Sequence, residues 1–295
     1  MRAALWFLAA IFGTLVLAAL AAWPAWLIVH ALAPELPFHR VVSRFWQLLL
    51  LGGLLIALHG IGLRGRADWG YGLPRPVFLR QFAAGLAIGL ATMLPMSLVM
   101  GALGIIHLRP GFDSALLLQA VATGSLAGFA VAIVEETFFR GLMFRAVSRE
   151  SGFAVAAWST ALVYSAIHFL ARARIPADEI AWDSGIRLLG GALANFAEPF
   201  AVADSFVTLV LVGLLLAFVR ERTGAIAASI GLHMGWVWVI KATMAVTRAD
   251  PDAGAAHLVS SFDGYTGWLV AGWGALLIGT GWIAGWLRPG ARPAR

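Results

Sequence analysis

The stretch VEETFFR, residues 134–140, sets two adjacent carboxylates and a guanidinium between the apolar runs GSLAGFAVAI and GLMF. A charge at the centre of a bilayer costs about 2.5–3.5 kcal/mol even on lenient insertion scales, so three of them demand either partners or a task. Glu136 and Arg140 are four residues apart with the acid first, the favoured order for a pair on one helix face. Glu135 points about 100° away from that face, and its own i−4 and i+4 neighbours are Val131 and Phe139. Its helix therefore offers it no counter-charge. It must meet a group on another helix, take up a proton or face water. Two histidines in apolar surroundings are available: His168 in YSAIHFL and His233 in GLHMGWVW. A carboxylate and two imidazoles in a low-dielectric pocket suit a general base with polarising groups, or a site for a divalent metal such as zinc.

These groups need helices to carry them. Hydrophobic residues make up 61% of the 295 and charged residues only 12%, against about 45–50% and 25% in soluble domains. Mean hydropathy is +0.85, and several apolar runs reach the ~20 residues of a bilayer helix. The expected fold is an all-α polytopic membrane protein with about eight spans, near 5–31, 45–63, 78–106, 115–147, 153–170, 204–219, 224–247 and 266–287. The connection 171–203 predicts a short amphipathic or re-entrant helix near 186–196. Gly124 and Gly128, like Gly231 and Gly235, have the G-x-x-x-G spacing that lets helix backbones approach closely. A bundle of the fourth, fifth and seventh spans would bring Glu135, His168 and His233 to one point. Three regions are expected: 1–110, a core at 111–250, and 251–295.

Charge placement predicts orientation. Twelve arginines (2, 64, 66, 75, 80, 145, 149, 220, 222, 288, 292 and 295) fall on the side of the termini and seven on the other. The positive-inside rule then puts both termini in the cytoplasm. The net charge of +6 is read as topology, and no nucleic-acid partner is expected. The absence of cysteine removes disulfides, thiolate metal sites and a cysteine nucleophile. There is no H-E-x-x-H pair for a zinc protease, and Ser125 has no clear general-base partner.

Each residue also has a plainer reading. Glu136–Arg140 reads first as a structural pair, Tyr164 as packing, Trp236 and Trp238 as packing or anchors, and Lys241 as a snorkelling or paired cation. An intramembrane histidine is about as often a helix–helix hydrogen-bond donor as a ligand.

Three motifs in order, EETFFR as E-E-x-x-x-R, YSAIH as aromatic-x-x-x-H and HMGWV as the start of H-x-x-x-N/D, resemble those of the CPBP family. This family includes CAAX prenyl endopeptidases and bacteriocin-processing or self-immunity (Abi-type) membrane proteins. The resemblance covers about 120–245. It implies an intramembrane endopeptidase in which Glu135 activates water with help from His168, His233 polarises the scissile carbonyl or holds the oxyanion, and Glu136 and Arg140 support the site. Family descriptions differ on metal dependence; glutamate-activated water is the expectation here, with a zinc held by Glu135, His168 and His233 as the variant. The family's third motif ends in Asn or Asp, and this chain has Val237. Valine neither ligates nor donates, so the fourth member of the site is expected to be missing or supplied by Trp236 Nε1–H, Asn195 or a water. The expected partners are a peptide or membrane-protein substrate and the bilayer, in a bacterial inner membrane. The competing reading is a non-catalytic transporter or immunity factor whose charges line a polar pathway. The sequence carries no signal for oligomeric state.

Overall fold

A computed structural model describes residues 2–61, 63, 65–170 and 174–285. The expectations attached to Arg64, Arg288, Arg292 and Arg295 lie outside these. The chain is helical almost throughout: α1 (Arg2–Leu20), α2 (Ala22–Leu32), α3 (Phe38–Ile61), α4 (Arg75–Ala102), α5 (Ser114–Glu136), a π-helical turn (Thr137–Met143), α6 (Phe144–His168), α7 (Ser184–Ala192), α8 (Ala203–Thr223), α9 (Ala227–Val246) and α10 (Trp268–Ile283). Two three-residue strands, β1 (Ile106–Leu108) and β2 (Thr247–Ala249), pair antiparallel.

Among the described residues five helices are long and apolar enough to cross a membrane: 2–20, 75–102, 114–168, 203–223 and 227–246. The protein is a polytopic all-α membrane protein. The run 114–168 is broken at Gly152, whose φ of 80° and ψ of 175° are not helical. A left-handed φ is open to glycine at no steric cost, and it falls where the sequence places the turn between the fourth and fifth spans. The single first helix expected over 5–31 is instead two, with the break at Ala21. Pro24 explains it, because proline has no N–H to offer the Leu20 carbonyl and its ring clashes there. The expected segment near 186–196 appears as the nine-residue α7 followed by 3₁₀ turns.

The chain forms two compact units, residues 1–64 with 166–201 and residues 65–165 with 202–295. In the first unit α1 packs on α3 and α7, and α2 packs on α3. In the second, α9 is the central helix, flanked by α4 and α5, while α8 packs on α10 and α9.

Both glycine pairs build this centre, but one of them faces an unexpected helix. Gly124 and Gly128 of α5 lie against α9, as the spacing suggests, whereas Gly231 and Gly235 turn to Phe82 and Gly89 of α4. A Cβ on Gly235 would sit 2.9 Å from the Gly89 Cα, closer than real contacts allow. The fourth helix is thus held by backbone-to-backbone approach, and His233, two residues from each glycine, is left facing the other side.

Gly235→Leu should overpack this seam, at about 1–3 kcal/mol or more, and lower the melting temperature of the purified protein in detergent. Gly279→Ala, at a position with open space around it, should melt at or above the wild-type value. Equal melting of the two variants would show that the close approach of α4 to α9 is dispensable.

Candidate active site

Glu135 and Glu136 are the last two residues of α5, and Arg140 lies in the π turn that follows. A π turn carries one residue more than an α turn and is frequent at functional sites. This one is held from outside its own helix. Thr137 shares a 2.6 Å hydrogen bond with the Tyr71 hydroxyl, and Gly141 leaves room for the Trp69 carbonyl. The Arg140 carbonyl accepts from Arg220 Nε of α8 at 3.2 Å.

Glu136 and Arg140 are completely buried and joined by an Nη1–Oε1 bond of 3.0 Å. Arg140 Nη2 donates to the Gly213 carbonyl at 3.2 Å. Its guanidinium carbon lies 4.8 Å from the centre of the Tyr164 ring. The same Glu136 oxygen faces His233 Nδ1 at 2.8 Å. Because a carboxylate can only accept, Nδ1 carries the proton and donates it to Glu136. That bond fixes the orientation of the ring, and the other nitrogen, Nε2, points to Glu135 Oε2 at 3.8 Å. His233 is 3% exposed, while the Glu135 side chain is 24% exposed.

Tyr164 completes the cluster. Its hydroxyl hydrogen-bonds the Glu135 carboxylate, and its ring meets the His233 imidazole edge-on with centroids 6.2 Å apart. The sequence reading of Tyr164 as packing holds for its ring, which is buried and meets Phe139 edge-on at 5.2 Å; the role of its hydroxyl is what that reading left out. The signal that could have found it is its polar end: a buried tyrosine hydroxyl usually finds a partner, and here two acids sit on the neighbouring helix.

The structure thus gathers Glu135, Glu136, Arg140, Tyr164 and His233 within the second unit. His168, the last residue of α6, belongs to the first unit and is partly buried; its role stays with the motif order. Of the two side chains suggested for the place of Val237, Trp236 has its one donor engaged and Asn195 has one of its two N–H groups engaged. Trp236 Nε1 donates to Thr92 Oγ1 at 2.9 Å, and Asn195 Nδ2 donates to the Phe169 carbonyl at 3.1 Å.

Residues 116–239 match the family model described as type II CAAX prenyl endopeptidase Rce1-like. This segment, less than half of the chain, is similar to that family's domain. It runs from the start of α5 into α9 and contains every residue of the cluster. It supports a CAAX-type intramembrane endopeptidase in general, a hydrolase of peptide bonds. No curated protein and no solved structure matches the chain.

The donor set bears on a metal. His233 Nδ1 is engaged by Glu136, which leaves Nε2 and the Glu135 carboxylate as the donors facing each other. Among the described residues no three or more His, Asp or Glu side chains are grouped to hold an ion, whereas catalytic zinc takes three protein ligands. The cluster, as it stands, does not fit such a site.

Removing one member of a buried ion pair leaves the other charge uncompensated, at about 3–5 kcal/mol. Arg140→Ala should therefore sharply lower the folded yield, and Glu136→Gln with Arg140→Gln should be milder than Arg140→Ala. Thermal unfolding of the single and double Gln variants measures the coupling directly. A double-mutant cycle with additive effects would remove the pair from this account.

Proposed function

We propose that the Rce1-like segment hydrolyses a peptide bond of a membrane protein or membrane-associated peptide, with Glu135 as general base and His233 as the group that holds the developing oxyanion. One observation carries this reading: Glu135 Oε2 and His233 Nε2 face each other across 3.8 Å, and of the two acids only Glu135 has an accessible side chain, 24% exposed, although its Oε2 is itself buried. The gap is too long for a direct hydrogen bond and suits a bridging water. With His233 as imidazolium and both acids ionised, the cluster of Glu135, Glu136, Arg140 and His233 is neutral overall. A water in the gap then accepts from Nε2–H and donates to Glu135.

Attack follows from that arrangement. The water oxygen forms a bond to the scissile carbonyl carbon as its proton passes to Glu135, and the carbonyl oxygen becomes an oxyanion within reach of Nε2–H. Collapse of the tetrahedral intermediate breaks the C–N bond, and Glu135 returns its proton to the leaving nitrogen. Glu136 and Arg140 do not touch substrate in this scheme. They hold the imidazole at the angle the reaction needs, as second groups do in nucleophile–base systems generally. Tyr164 holds the Glu135 carboxylate in the same way. His168, by motif order, assists the water. No step passes through a metal. The protein acts in this reading from a bacterial inner membrane, with both termini in the cytoplasm.

The test is cleavage of membrane-anchored peptides by the purified full-length chain, followed by mass spectrometry. Glu135→Gln should lower the rate by about 10²–10⁴-fold, the usual contribution of a general base, without changing thermal stability. Tyr164→Phe should lose about ten- to a hundredfold, the worth of a hydrogen bond to a charged group, in kcat and not in KM. Chelators should leave the rate unchanged. Wild-type cleavage by Glu135→Gln would end the mechanism.

A further inference from the structure

The first unit holds a cavity of about 500 Å³, within the ~300–1,000 Å³ of ligand sites. Its two walls differ in kind. One is a single face of α3, where Arg40, Ser43, Arg44 and Gln47 recur at helical spacing, extended by His39 and by Arg174 beyond α6. The other wall is apolar, made by Leu15, Ala18 and Ala19 of α1 and by Leu188 and Leu189 of α7. Three guanidinium groups thus open on one space. Arg40 and Arg174 are both near enough to His39 for their charge to act on it. Among the described residues no carboxylate lines the cavity; Arg44 Nη1 is met by a neutral acceptor, Gln47 Oε1, at 2.8 Å. Glu179 is bound to Arg187 at 2.7 Å, and neither residue is part of the lining.

Depth adds the second constraint. Ala18 and Ala19 lie in the last turn of α1, a candidate membrane span, and Arg40 and Arg44 lie in the first two turns of α3. The end of a spanning helix is the level at which the hydrocarbon gives way to headgroups. The cavity therefore presents cations where lipid phosphates lie and leucines where acyl chains begin. Trp46 stands in the same lining with its indole N–H on Thr14 Oγ1 at 3.2 Å, the amphipathic posture of an interfacial anchor.

We propose that this cavity is a binding site for an anionic phospholipid, its phosphodiester on Arg40, Arg44 and Arg174 and one acyl chain against α1 and α7. Guanidinium recognises phosphate in a fixed two-pronged geometry, and the apolar wall gives a lipid an advantage over a free anion. A free phosphate would use only the arginines. A zwitterionic lipid would bring its own cation to them.

Trp46 gives a local probe. The full-length chain is placed in phosphatidylcholine vesicles containing either brominated phosphatidylglycerol or brominated phosphatidylcholine. The emission quenched in wild type but not in Trp46→Phe reports the cavity. Phosphatidylglycerol should quench this component severalfold more strongly. Each Arg→Gln change at 40, 44 or 174 should cut that preference about fivefold, the share of one basic residue at an anionic surface, and Leu188→Phe should cut it by filling the apolar wall. Inorganic phosphate should not reverse the quenching. The single Arg variants keep the test valid where a variant lacking all three arginines would fail to fold. Equal quenching by the two lipids, a preference that survives the Arg changes, or full reversal by inorganic phosphate would each overturn the proposal, the last by assigning the site to a free anion.

Discussion

One oxygen of Glu136 accepts from Arg140 Nη1 at 3.0 Å and from His233 Nδ1 at 2.8 Å, and the candidate site depends on that shared atom. It joins the π turn to α9, so a contact between side chains also sets how two helices meet. An isolated carboxylate at this burial would be too costly to keep. With two donors on one oxygen, and with the Gly213 carbonyl and the Tyr164 ring also on the guanidinium, the charge is compensated, while Glu136 Oε2 and Arg140 Nε stay buried without a hydrogen-bond partner among the described residues. The imidazole is left with a single orientation. Buried ion pairs contribute little net stability by themselves; the consequence here is positional, because the ring's second nitrogen can only face Glu135.

The packing around that atom is arranged to permit it. Glycines on α4 and α9 let the two backbones touch, which brings α9 deep into the second unit. Gly213 exposes its carbonyl to Arg140 while lying against Ala161 of α6. The π turn adds a residue just after the two acids, and its freed Arg140 carbonyl is bound by Arg220 from α8. Helices α5, α6, α8 and α9 each supply one part of the surround. The cluster is therefore a property of the bundle and not of the motif in which its acids occur.

Much of this was legible in the sequence, for reasons specific to each residue. Spacing alone pairs Glu136 with Arg140, since residues four apart on a helix are neighbours. Hydropathy places the helices, because a bilayer admits few other structures. The separation of Glu135 from Glu136 followed from helix geometry, and the meeting of Glu135 with His233 followed from the need of a buried charge for company. What was missed lay in long-range contacts. The π turn is stabilised by Tyr71, Trp69 and Arg220, none of them within its own helix. Tyr164 looked like packing because its hydroxyl's partner lies on another helix. Gly231 and Gly235 announced a close approach but not to which helix, and α4 was the answer. Pro24 did signal the break at Ala21, and the unbroken apolar run around it concealed the signal.

The central claim is that Glu136 clamps His233 through Nδ1–H and so aims Nε2 at Glu135. Nitrogen-15 NMR of the full-length protein with labelled histidine, assigned by the signal lost in His233→Gln, reads the protonation of each ring nitrogen. A proton on Nδ1 of His233, its resonance displaced when Glu136 is replaced by Gln, is the predicted result. An Nδ1 without a proton in the wild-type protein, or a His233 signal indifferent to Glu136→Gln, would contradict the clamp and the chemistry built on it.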